Sequence, residues 1–337
     1  MKTAIISVSD KGEKLAKKLK CKLDDDSTII RTDLFHKDVK NTFPILFYEY
    51  DAVIAIMASG ILIRSIAPLI ESKVSDPAVV NIDDNGKFVI SALSGHLGGA
   101  NDLTRKIAKL LNAVEVITTS TDVNQKLGID VMARDLYLSI DDTSEILFFN
   151  RAILEAREIT LEVNPNHDFD YLFTYLNDNT LEINVSIIFT SKINTDEIHI
   201  TLDEHEMTLK ERKVVVGVGC KRGKKCSEIY DALKKVSGQL NIPLSRVNSI
   251  ASAWIKSDED GILELSEKLC VETVFIGKDK LEMFTSHDTS KSDFVKSKLG
   301  VEGVCEQSSL IAAGFNSKLI YKKTSFNGIT VAVSVGE

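Results

Sequence analysis

The chain has 337 residues, 44% of them hydrophobic and 27% charged, which excludes a disordered polypeptide and is too long for one ordinary core, so two or three domains are expected. A formal net charge of −8 and a pI of about 5.4 argue against non-specific nucleic-acid binding; an anionic ligand would have to be met by a local cluster of Lys and Arg. The five cysteines (Cys21, Cys220, Cys226, Cys270 and Cys305) are odd in number and hold no C-x-x-C pair, which speaks against a disulfide framework or structural zinc and for a reducing cytoplasm.

In chain order, "MKTAIISVSDKGEKLAKKL" reads as a short strand, a turn and a basic helix, its apolar run being too short for a signal peptide. No stretch approaches the roughly 18 apolar residues of a membrane span. "TAIISV" (3–8) and "DAVIAIM" (51–57) read as buried strands rich in Ile and Val. "AVVNIDDNGKFVISAL" (78–93) is two runs around Asn85-Gly86, a strong hairpin signal. Ala100, Leu103, Ile107, Leu110 and Leu111 then share one helical stripe, and "VEVIT" (114–118) is a further strand. Such alternation predicts an α/β sheet with ligand loops at the carboxyl ends of its strands. Residues from about 135 to 212 are charged and lack a glycine-rich loop; a small α+β segment is expected there, with His167, His199 and His205 at its surface. "KVVVGVGCKRGKKCSEIYDALKKV" (213–236) opens a second α/β unit: a strand at Val214–Val216, glycines after it, and a helix carrying Ile229, Leu233 and Val236. "GILELSEKL" (261–269) reads as a helix, "ETVFIG" (272–277) and "GITVAVSV" (328–335) as strands. The predicted architecture is therefore two α/β domains with parallel or mixed sheets, 1–132 and 213–337, joined by a small α+β segment, 133–212.

Four loops could carry chemistry. In "ASGILIRSIAP" (58–68), Ser59 and Gly60 turn the chain into a helix whose free N–H groups suit an anion, and Arg64 could clamp a carboxylate; from spacing alone an ordinary strand-to-helix turn with a solvated Arg comes first. In "SALSGHLGGAND" (91–102), Gly95, Gly98 and Gly99 bracket His96. That much bare backbone suits close approach of a ligand, with His96 as acid or base and Asn101 giving amide hydrogen bonds, although a loop histidine is often simply solvated. "ITTSTDVN" (117–124) brings Thr118, Thr119 and Asp122 to a strand's end, to orient a polar ligand or to cap a helix. "GVGCKRGKKCSE" (217–228) has Gly217 and Gly219 but neither the third glycine of a dinucleotide loop nor the G-K-[ST] of a P-loop; Lys221 and Arg222 lead a cationic run suited to a polycarboxylate or phosphate ester.

Taken together and in this order, the loops resemble the cobalt-precorrin-5A hydrolase family, cobalamin-biosynthesis protein G. The densest likeness runs from "ASGILIRSIAPLIESKVSDPAVVNIDDNGKFVISALSGHLGGANDL" through "VITTSTDV". It continues in "VVVGVGCKRG", "SIASAWIKSDEDGILEL", "GVCEQSSLIAAG" and "GITVAVSV". The resemblance implies hydrolysis of a δ-lactone on a ring-contracted cobalt tetrapyrrole in anaerobic vitamin B12 synthesis, with release of acetaldehyde. It also implies cobalt carried by the substrate, no cofactor, no nucleic acid and no membrane; a homodimer and contacts with neighbouring pathway enzymes are compatible with it. On that chemistry the expected acid/base groups are His96, with Asp122 and Glu259 second. Arg64, Lys221, Arg222 and Lys256 would bind carboxylates, and the glycine-loop amides an oxyanion. A corrinoid carrier without catalysis is the rival reading.

Overall fold

The computed structural model describes the backbone of residues 1–337 and every side chain but that of Phe294. Its strands fall into three sheets, one after another along the chain. The first is built from β1 (Lys2–Ser7), β2 (Arg31–His36), β3 (Ala52–Ile56), β4 (Ala78–Ile82), β5 (Phe88–Leu93) and β6 (Val114–Val116), in the order β2-β1-β3-β4-β5-β6. β3 and β4 are buried throughout, as continuous apolar strands between two helical layers should be. Helices Asp10–Asp24 and Ala100–Leu111 cover one face with Leu19, Leu23, Leu103 and Ile107. Helices Val39–Glu49 and Ser59–Ile66 cover the other with Phe43, Leu46 and Leu62.

β1 to β4 are mutually parallel, but the hairpin at Asn85-Gly86 makes β5 antiparallel to β4, and β6 follows β5. The loops stand at the carboxyl ends of their strands, and this reversal sends them to opposite edges of the sheet. Ser59 and Gly60 follow β3 at the carboxyl end of the parallel strands, where the Ser59 hydroxyl donates to Asn81 Oδ1 at 2.6 Å. The loop after β5 emerges at the opposite edge, and a Cβ on Gly98 would lie 3.3 Å from the amide of Ala78, the first residue of β4. Four residue steps of β4, about 13 Å, separate the two edges.

The second sheet, β7 (Leu138–Ile140), β8 (Ile159–Val163), β9 (Val185–Phe189), β10 (Glu197–Leu202) and β11 (His205–Glu211), has the order β7-β11-β10-β8-β9 and is antiparallel apart from β8-β9. Helix Ile129–Asp135 straddles the expected boundary at 132, and its Ile129, Met132 and Ala133 pack in this sheet's core beside Phe149 and Leu161. The third sheet, β12 (Lys213–Cys220), β13 (Ser249–Ala253), β14 (Glu272–Ile276), β15 (Lys318–Phe326) and β16 (Ile329–Gly336), has the order β14-β13-β12-β16-β15. Helices Cys226–Leu240 and Asp260–Leu269 cover one face; helix Cys305–Ala313 lies on the other. A mixed α/β fold with three sheets results, as the sequence predicts.

Polar rivets join the sheets. The buried guanidinium of Arg246 donates to the carbonyls of Leu136 (2.7 Å), Tyr137 (3.0 Å) and Arg212 (2.6 Å), tying the third unit to the second. Ser27 and Thr324 hydroxyls meet at 2.7 Å, and Arg31 reaches Asp288 at 3.3 Å, tying the third to the first.

Candidate functional site

The loop after β5 owes its shape to its composition. Ser94 (φ 54°) and Gly99 (φ 83°) both sit in the left-handed region, and the carbonyls of Ser94 and Gly95 accept the amides of Ala100 and Asn101 as the helix begins. A Cβ on Gly98 would meet that of Ser94 at 2.5 Å, so only glycine lets the loop close there. Among the described residues, the amides of Gly95, His96, Leu97 and Gly98 have no protein acceptor, leaving four consecutive donors for solvent or a ligand.

His96 projects from this loop into a ring of partners. Its Nε2 lies 2.9 Å from Asp122 Oδ2 and 3.0 Å from the Thr121 hydroxyl; its Nδ1 lies 3.0 and 3.1 Å from the two oxygens of Asp130. A neutral imidazole carries only one N–H, so a carboxylate at each nitrogen selects the doubly protonated ring. Burial opposes that charge, but the hydrogen bonds to Asp122 and Asp130 outweigh it and raise His96 to about 9. The same contacts, with Arg105 on the other oxygen of Asp122, overcome burial and hold Asp122 down at about 2; Asp130 is likewise lowered, against burial, by His96. Asn101 completes the ring, its amide donating to Asp122 Oδ2 (2.9 Å) and Thr119 Oγ1 (3.0 Å) while its oxygen accepts from Ser91 (2.7 Å).

Two clefts flank the loop. One, of about 330 Å³, is walled by Gly95, His96, Thr119, Thr121 and helix Ile146–Leu154, with Leu147 and Leu154 giving an apolar side and Lys73 and Arg151 two cations. The other, of about 650 Å³, opens where all three units meet and is lined by Asp51, Gly98, Gly99, Arg134, Leu240 and Lys318, among others. Leu97 belongs to both, so the glycine loop is their shared wall.

The sequence-predicted residues divide into three groups. Gly95, His96, Gly98, Gly99, Asn101, Thr119 and Asp122 come together; Thr118, beside them in the chain, is exposed. Ser59, Gly60 and Arg64 stand at the opposite edge of the sheet, where Arg64 donates to the Gly60 carbonyl at 3.0 Å. The third group sits on the third sheet, and there the glycines do not follow the strand as expected. Gly217 and Gly219 lie inside β12: a Cβ on Gly217 would be 2.1 Å from the Cys305 carbonyl, and one on Gly219 2.6 Å from Thr330 Oγ1. They are packing positions that seat helix Cys305–Ala313 and β16. Lys221 donates its amide to Gly328, and Arg222 pairs with Asp258 at 2.9 Å. Lys256 and Glu259, buried, pair with each other at 3.0 Å, and Glu259 also accepts the Gly223 amide. Burial opposes ionisation of Glu259, but these two contacts lower its carboxyl below the usual range. Of this group, Arg222 and Glu259 line an open cleft of about 720 Å³ at the start of helix Cys226–Leu240, whose Leu240 end lines the three-way cleft. Fifteen residues of helix, about 20 Å, lie between.

The comparisons with known proteins bear on these groups. Residues 41–122 match the family model "Cobalamin synthesis G N-terminal" and residues 214–334 the model "Cobalamin synthesis G C-terminus". A cobalt-precorrin-5A hydrolase of Priestia megaterium is 30% identical over 314 residues, 90% of this chain and 83% of that one. A Methanocaldococcus jannaschii protein named for the same activity is 33% identical over 99% of both chains. The chain belongs to the cobalamin synthesis G family. The crystal structure of a family homologue from Sulfolobus solfataricus, 28% identical, superposes over 99% of this chain and 97% of the other with a TM-score of 0.60. The two family spans contain every candidate site residue taken from the sequence, but not Asp130, Arg134 or Asn150, which also hold His96 or its partners and lie between the spans. Opposite charges one turn apart, Asp130 and Arg134, in the amphipathic stretch "IDVMARDL" were the available signal for these two residues. Among the described residues no cluster of His, Cys, Asp and Glu suits a metal ion, and no helix is long and apolar enough to cross a membrane.

Proposed function

We propose that the protein is a cobalt-precorrin-5A hydrolase, opening the δ-lactone of a ring-contracted cobalt tetrapyrrole with water and releasing the extruded two-carbon fragment as acetaldehyde. The observation that carries this reading is the full-length likeness, 33% over 99% of both chains, to a protein named for that activity. The chemistry needs a site for the acyl oxyanion, a wall for a broad flat ligand, and cations for its acid side chains. The glycine loop supports the first with four unpaired amides, and the clefts on its two sides support the others.

In the first step water adds to the lactone carbonyl, the loop amides stabilise the oxyanion, and the acyl–oxygen bond breaks to leave a carboxylic acid and an alcohol. In the second the alcohol loses its proton as the adjacent carbon–carbon bond breaks. The aldehyde carbonyl forms, and the macrocycle takes the electron pair and a proton. His96 enters as a fixed imidazolium that shapes the loop, because neither ring nitrogen has a lone pair to receive a proton. Cobalt is part of the substrate, and neither step calls on a resident cofactor. Incubating the purified protein with cobalt-precorrin-5A and trapping aldehydes tests the reading. Acetaldehyde equivalent to pigment consumed is expected, with none from heat-inactivated protein; pigment binding without aldehyde would leave a carrier instead.

A further inference from the structure

The segment between the two family-matched spans reaches into the His96 ring through one short helix, Ile129–Asp135. Asp130, in its first turn and only 4% exposed, accepts from His96 Nδ1 with both oxygens. That carboxylate is itself held: Asn150 Nδ2 donates to Asp130 Oδ1 at 2.9 Å, and Asn150 Oδ1 accepts the Ile129 amide at 2.8 Å. One turn on, Arg134 donates to the main-chain carbonyl of His96 at 2.6 Å and pairs with Asp102 of the helix that follows the loop. Arg134 is fixed in turn by Asp135, which accepts from the Tyr175 hydroxyl at 2.8 Å. One helix thus grips His96 twice, by its ring and by its backbone.

The helix does not need these contacts to stay in place, since Ile129, Met132 and Ala133 already pack in the second sheet's core. The loop has more to gain from them: with three glycines in five residues it has much backbone freedom to lose, and Leu97, packed against the second sheet's core, is the apolar side chain it has to offset that loss. We propose that Asp130 and Arg134 are positioning residues, by which the middle segment holds the glycine loop of the first sheet in the one shape that carries the reaction. This rests on the functional reading above only for its last clause; the bracing itself is independent of substrate. Reaction centres tolerate little displacement, so a loosened loop is expected to cost turnover far more than affinity.

The test uses the full chain with Asp130→Asn, Asp130→Glu and Arg134→Met. Hydrogen exchange at the amides of 95–98, read without substrate, is expected to accelerate in Asp130→Asn and Arg134→Met, and the NMR titration of His96 to shift down towards its ordinary value in Asp130→Asn. With cobalt-precorrin-5A, kcat is expected to fall on the order of a hundredfold while KM stays within about threefold, and Asp130→Glu to recover part of the loss. Unchanged exchange and an unchanged His96 titration would overturn the bracing; faster exchange with undiminished kcat would overturn its place in the reaction. Wild-type protein that releases no acetaldehyde but shows the exchange effect would sink the functional reading and leave the brace standing. Should Asp130→Asn fail to fold, Asn150→Ala, which removes one support from the same carboxylate, is expected to give the same effects in smaller measure, and no effect on exchange would count against the brace.

Discussion

Two buried ion-pair centres stand beside strand-to-helix loops in this protein, and they are built on different principles. Lys256 and Glu259 are three residues apart and hold one another, and Glu259 also accepts the Gly223 amide of the loop after β12, so this centre ties together two loops of a single sheet. His96 draws its partners from residues 121, 122 and 130 and, through its carbonyl, from 134, so its loop is fixed only when separate elements are assembled around it. The first is a clasp within one sheet and the second an assembly point between two. The contrast teaches where a loop rich in glycine gets its order: from outside, because it has few side chains with which to supply its own.

The largest effect should come from removing the assembly point. His96→Ala leaves two buried carboxylates facing each other without the charge between them, at an expected cost of about 3–5 kcal/mol in urea unfolding, with acetaldehyde release lost. Near-normal turnover would take His96 out of the mechanism. The pH dependence follows the same centre. His96 is raised from 6.5 to about 9, so its contribution is complete below 6.5 and drains away as pH climbs through 9. Asp122 is lowered from 3.8 to about 2, so its share is complete above 3.8 and is lost on acidification through 2. The urea midpoint of the wild type should therefore decline between pH 6.5 and 9.5 more steeply than that of His96→Ala; parallel declines would mean that the ring is not charged at neutral pH.

Smaller effects should follow in the third sheet. Gly217→Ala places a Cβ 2.1 Å from a backbone carbonyl that has no flexible end to move, and about 3 kcal/mol of stability should be lost as helix Cys305–Ala313 is displaced. A neutral result in thermal unfolding would show that this helix rides on the sheet loosely. Glu259→Gln strands the Lys256 ammonium and weakens the hold on Gly223, at about 2 kcal/mol, with faster amide exchange confined to 221–225. Because this clasp stays within the third sheet, turnover should stay within about threefold; a collapse would instead place the third-sheet loops at the reaction centre.

Much of this was legible in the sequence, for identifiable reasons. β1, β3, β4 and β5 announce themselves because buried strands read as apolar runs and Asn85-Gly86 marks a hairpin. The same hairpin implied the reversal of β5, which carries the glycine loop, still at its strand's carboxyl end, to the opposite edge from Ser59. β2, whose "RTDLFH" mixes charge with apolar residues, and β15, with "YKKTS" at its centre, give no periodic signal because they are the edge strands of their sheets. The His96–Asp122 pairing joins two motifs that sequence inspection could pick out separately. Its other half, Asp130, hid in an apolar helix, because a buried carboxylate is recognised by what it touches and not by its neighbours in the chain.

The smallest effect is expected at Arg64, and it bears on which edge of the first sheet matters. Its side chain is solvent-facing and donates to the Gly60 carbonyl of its own helix, and Ser59 beside it is engaged with Asn81. Arg64→Ala should change stability by less than about 0.5 kcal/mol, as surface replacements generally do. If the reaction runs at the glycine-loop edge, about 13 Å away along β4, acetaldehyde release should keep its kcat, and KM should move by no more than about twofold. A rise in KM at low salt that fades as salt is added would mean that Arg64 draws in the acid side chains of the pigment across that distance. A fall in kcat itself would carry the substrate over both edges of the sheet, and the division between assembly point and periphery would then have to be redrawn.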